Sequence, residues 1–109
     1  MRFNRELLKG NVETLVLDIL SKESMYGYQL VKEINKRSKG IFRLREGTIY
    51  PVLYKLEKQG LLKSFWEKEE GSLHRKYYQL TDKGHKAHIK RNKEWAKLAQ
   101  GMRLVLEKN

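Results

Sequence analysis

At 109 residues the chain is long enough for one compact domain with a modest core and too short for two. It carries 24 Lys and Arg against 13 Asp and Glu, a net charge of +11, and only 39% of its residues are hydrophobic, so a polyanionic partner and help from a second copy are both in view. The absence of Cys excludes a disulfide framework, a thiol nucleophile and a thiolate metal site, while the charged start at Arg2 and Arg5 and the lack of any apolar run of about 18 residues leave no place for a signal peptide or a spanning helix, so a soluble cytoplasmic protein is expected.

Leu8, Val12, Leu15, Val16, Ile19 and Leu20 recur at spacings of three and four, which predicts a helix over residues 6–21 with Lys9, Glu13 and Asp18 on other faces. Leu7 and Leu17 are apolar as well, so this helix suits a place between its own domain and a partner. Tyr26, Leu30 and Ile34 predict a short second helix that stops at Ser38-Lys39-Gly40, followed by an extended connection over residues 41–44. Ile49, Val52, Leu53 and Leu56 predict a third helix from Glu46 to Gln59 with Gly60 as its C-terminal cap. Pro51 is tolerable only near the start of that helix, which places the start at Glu46 to Thr48.

The period then falls to two. Residues 62–68 and 73–80 are predicted to pair as a hairpin around Glu69-Glu70-Gly71-Ser72. Thr81-Asp82 offers a cap for a long last helix, along which His88, Asn92, Trp95, Ala99, Met102 and Leu106 form a heptad-type seam. The expected fold is therefore mainly α with a small β-hairpin: a winged helix-turn-helix over residues 1–80, then a C-terminal dimerisation helix over residues 81–109. In that plan the third helix enters the major groove of duplex DNA and the wing lies along the backbone or an adjacent groove.

Inward packing of the third helix leaves Thr48, Tyr50, Pro51, Tyr54, Lys55 and Lys58 as candidate DNA contacts, although either tyrosine can equally be a half-buried packing residue. On the wing, alternation puts Arg75 on the face opposite His74 and Lys76, and Glu67, Glu69 and Glu70 dilute its charge. Residues 25–61 and 81–109 each carry a net +5, so the excess is not confined to a tail. A non-specific nucleic-acid binder and a winged-helix protein-interaction module are the rival readings. His85 and His88 have a spacing that can hold a metal, but no nearby carboxylate completes a set, Asp82 being the closest; both read as solvated, and no metal or other cofactor is expected. No catalytic constellation and no phosphate-binding glycine loop stands out, so an enzyme is not expected.

Four runs carry a specific resemblance: Met25-Tyr26-Gly27-Tyr28-Gln29-Leu30, Glu46-Gly47-Thr48-Ile49-Tyr50-Pro51-Val52-Leu53, Leu56-Glu57-Lys58-Gln59-Gly60-Leu61 and Arg75-Lys76-Tyr77-Tyr78-Gln79-Leu80-Thr81-Asp82-Lys83-Gly84. In this order they resemble the PadR family of bacterial transcriptional regulators, over residues 7 to about 106. The single C-terminal helix is similar to the smaller subfamily, whose members are dimers and often repress genes for multidrug efflux or phenolic compounds. The resemblance implies that Tyr50, Lys55, Arg75 and Lys76 lie around DNA. Where many relatives have a Gly-rich turn and a Pro before the basic strand, this chain has Ser72, Leu73 and His74. The resemblance also implies that Trp95, with Leu98, Ala99 and Leu15, lines a cleft at the dimer centre able to stack a planar aromatic effector; the other reading of Trp95 is plain interface core. Two-fold symmetry predicts a pseudo-palindromic operator with half-sites about 34 Å apart or a multiple of that.

Overall fold

The computed structural model describes residues 5–68 and 74–107; the expected turn at Glu69-Glu70-Gly71-Ser72, with the wing tip at Gly71 and Leu73 after it, lies outside the described residues. In chain order the elements are α1 (Arg5–Leu8), α2 (Asn11–Leu20), β1 (Met25–Tyr26), α3 (Gly27–Arg37), α4 (Glu46–Lys58), β2 (Leu62–Lys68), β3 (His74–Leu80) and α5 (Asp82–Leu106).

Two expectations about these elements are corrected. The first helix is not continuous, because Gly10 sits at φ 85°, in the left-handed region that a helix cannot contain. Apolar spacing runs through Gly10 unbroken, and so the period hides the break. The sheet has three strands rather than two, in the order β1-β3-β2. Met25 pairs with Tyr78 and Tyr26 with Tyr77, and a strand of two residues is too short to display alternation.

The core lies where α2, α3 and α4 meet the base of the sheet. Leu17, Leu30, Ile49, Leu53 and Leu56 are wholly enclosed there, with Leu62, Tyr78 and Leu80 closing it from the strands. The connection over residues 41–44 has no strand partner among the described residues, yet Asn35 clamps it: its Nδ2 donates to the Leu44 carbonyl at 3.0 Å and its Oδ1 accepts from the Leu44 N–H at 2.8 Å. That clamp fixes the entry into α4. Pro51 falls at the sixth position of α4 and cannot donate to the Gly47 carbonyl, but Gly47 is exposed, where solvent can take the missing donor's place.

The far end of α4 is locked by the start of α5. Thr81 caps α5 by accepting from the Gly84 N–H at 3.0 Å and donates its own hydroxyl to the Gly60 carbonyl at 2.6 Å, while Lys83 donates to the Gln59 carbonyl at 2.9 Å. From there α5 runs 25 residues, about 37 Å. It packs on α2 and β3, and the described molecule measures 59 × 32 × 20 Å. No helix among the described residues is long and apolar enough to cross a membrane.

Candidate nucleic-acid interface

α4 divides cleanly by period. Ile49, Leu53 and Leu56 are buried, whereas Gly47, Pro51, Tyr54 and Lys58, spaced i, i+4, i+7, i+11, form an exposed stripe on the other side. Of the residues expected to contact DNA, Pro51, Tyr54 and Lys58 belong to this stripe, and the others flank it. Thr48 and Lys55 lie on the side toward α2, and Tyr50 lies toward the sheet. Tyr54 is 65% exposed, with the Lys58 ammonium 5.4 Å from its ring centroid.

Tyr50 is held rather than free. Its ring lies across the first residue of α3 so closely that a Cβ on Gly27 would stand 2.7 Å from it. Partial burial, with the Glu46 carboxylate nearby, raises its hydroxyl above the usual phenol range, and Arg75 pulls in the opposite direction. The neutral phenol is therefore both donor and acceptor at neutral pH.

The strand register separates the wing residues as alternation predicts. Leu62, Ser64 and Trp66 face the same way as their partners Leu80, Tyr78 and Lys76, on the side that covers the core. Lys76 reaches Glu57 of α4 at 3.8 Å, and Ser64 donates to the same carboxylate. Arg75 lies on the opposite face, 4.5 Å from the centroid of the Tyr26 ring, beside Tyr77, whose ring stacks on Phe65. Trp66, opposite Lys76 and 66% exposed, has no role in the sequence reading.

Lys55 is engaged inside the chain: its Nζ lies 2.8 Å from the Glu13 carboxylate of α2. Glu13 is itself a correction, because it was expected on a polar face and is 8% exposed. The signal was available, since Glu13, Leu17 and Leu20 lie on one line of the helix. Arg91 of α5, unmarked by the sequence reading, pairs with the other oxygen of Glu13 at 2.9 Å.

The heptad seam of α5 has two different halves. His88 and Asn92 face inward onto Asp18 of α2, at 2.8 Å and 3.1 Å from its Oδ1, so the expectation of two solvated histidines fails for His88. Those contacts hold the Asp18 carboxyl below its usual range, the hydrogen bond from His88 most of all. The second half, with Trp95 at 55%, Met102 at 51% and Leu106 at 69%, is open to solvent, as is Leu98 beside it. Between the halves a cleft of 620 Å³ is lined by Leu7, Leu8, Leu15, Phe42 and Trp95, with Asp18 and Asn92 on its polar wall. Of the residues expected around an effector, Trp95 and Leu15 line it; Leu98 and Ala99 are not in its lining.

Comparison with known proteins bears on this arrangement. The family model described as the transcriptional regulator PadR-like family matches residues 16–90. A PadR-like transcriptional regulator from Bacillus cereus is 31% identical, with a TM-score of 0.83 over 95% of this chain and 99% of that one. A PadR family regulator from Eggerthella lenta is 38% identical, with a TM-score of 0.81 over 95% and 88%. The transcriptional regulator YqjI of Escherichia coli is 36% identical over 75 residues, 69% of this chain and 34% of that protein.

Proposed function

The chain belongs to the PadR-like family of transcriptional regulators, and from that membership we propose that it is a cytoplasmic, sequence-specific dimeric repressor released by a small hydrophobic or aromatic ligand. Membership makes it a DNA-binding regulator and not an enzyme. The observation that carries the finer reading is the exposed side of α4, opposite Ile49, Leu53 and Leu56 and flanked by the wing. Thr48, Tyr50, Pro51 and Tyr54 supply hydroxyl and apolar groups for base edges, and Lys55 with at least one of Arg75 and Lys76, which face opposite ways, supplies charge for phosphates. Trp66, directly opposite Lys76, extends the wing surface beside α4.

The dimer rests on the apolar stripe of Trp95, Leu98, Met102 and Leu106, which is costly to leave in water on a helix this charged and suits residues 81–109 as a dimerisation element. A second copy packed there sets two α4 helices side by side on a pseudo-palindromic duplex. The effector reading rests on the adjoining cleft. Its wall includes Phe42, from the connection that Asn35 clamps at the entry to α4, so an occupant that prefers one placement of that connection shifts the placement of α4.

Titration of labelled duplexes at several salt concentrations tests the reading: a strong sequence preference together with a steep salt slope is expected, and equal affinity for all duplexes would leave only a non-specific binder. For the effector, quenching of Trp95 fluorescence by planar aromatic compounds in a Trp66→Phe variant is expected. No quenching would reduce Trp95 to interface packing.

A further inference from the structure

Glu13 sits in the first turn of α2, and its two carboxylate oxygens take cations from two different elements. Lys55 of α4 lies 2.8 Å from Oε2 and Arg91 of α5 lies 2.9 Å from Oε1. A carboxylate this buried is tolerated only with its charge compensated, and one cation is enough to compensate it. The two cations are unequal. The Arg91 side chain is 32% exposed and docked between helices, whereas Lys55 is 57% exposed on a flexible stem at the edge of the α4 surface. Lys55 is thus the partner able to leave while Glu13 stays neutralised.

We propose that Glu13 is a positioning residue that gates Lys55, coupling the seating of α5 to the positive charge that α4 offers DNA. With Arg91 seated, Lys55 swings to a phosphate and no buried charge is orphaned. When α5 shifts and carries Arg91 away, Glu13 retains Lys55 and the phosphate contact is lost. The inference rests on the reading of α4 as the DNA helix, and it gives α5 a route to α4 through one carboxylate.

The test uses a duplex that the full-length protein selects from a random library, and reads affinity and the slope of log K against log salt. Arg91→Gln is expected to bind more weakly with a slope shallower by about 0.9, the share of one phosphate contact. Glu13→Gln added to Arg91→Gln is expected to restore the slope. Lys55→Met is expected to have the shallow slope already and to be indifferent to Arg91→Gln. A parental slope in Arg91→Gln, or a Lys55→Met background still sensitive to it, overturns the proposal. Should Arg91→Gln fail to fold by circular dichroism, Glu13→Gln alone decides: tighter binding that Lys55→Met abolishes supports the gate, and unchanged affinity overturns it. A protein that selects no duplex overturns the DNA reading and the gate with it, whereas a selected duplex indifferent to Arg91 overturns the gate alone.

Discussion

Tyr50 shows how one side chain is aimed by the absence of another. Gly27 leaves the space its ring occupies, and Gly27 lies in ordinary helical backbone, so Ala is acceptable there in every respect but the contact with that ring. Gly27→Ala is expected to fold with stability within about 1 kcal/mol of the parent, yet to lose about 1–3 kcal/mol of DNA binding as the displaced Tyr50 misses its contact. Parallel urea unfolding and duplex titration check both halves, and an unimpaired affinity would take Tyr50 out of the interface. Asp18 makes the second residue-scale prediction. Its folded pKa is lowered, so its stabilising contribution is complete above the usual 3.8 and vanishes as pH falls through the lowered value. The urea midpoint of the parent is therefore expected to fall more steeply below about pH 4 than that of Asp18→Asn. Curves of equal steepness would mean that His88 and Asn92 add nothing to the carboxylate in the folded state.

At the scale of elements, α4 is set at both ends by contacts that are not its own. Asn35 fixes the connection before it, and the first turn of α5 is pinned to the corner after it through Thr81, Lys83 and Gly84. Gly84 is buried, and a Cβ there would drive into the Leu61 carbonyl, a backbone atom with no freedom to retreat. Gly84→Ala is expected to destabilise the fold by about 1–3 kcal/mol, as overpacking does, read as a fall in the urea midpoint. An unchanged midpoint would mean that the corner yields without cost. The two faces of α4 were legible because Ile49, Leu53 and Leu56 repeat with the helix period. The α1–α2 break was not, since Gly10 interrupts the backbone without interrupting the apolar spacing, and β1 was not, since two residues show no period.

For the molecule as a whole, the long axis of 59 Å follows from a 25-residue helix on a small body. At the end of that helix Leu104, Val105 and Leu106 have no cover among the described residues, each being 69% exposed or more. Met102→Glu puts a charge into that stripe without touching the core. For the proposed dimer it is expected to shift sedimentation to the monomer and to weaken duplex binding steeply, because two α4 helices would no longer bind as a unit. A dimer that survives Met102→Glu would move the interface elsewhere.

What the sequence determined by itself was governed by near neighbours along the chain: which side of α4 is buried, the opposite facing of Arg75 and Lys76, and the cap at Thr81. These follow from helix and strand periods and from capping chemistry, which act over a few residues. The tertiary structure alone decided that Lys55 meets Glu13 across 42 residues, that Arg91 meets the same carboxylate across 78, and that His88 meets Asp18 across 70. Period assigns a charged residue to a face of its own helix, but only the packing of α2, α4 and α5 against one another decides which opposite charge waits on the facing helix.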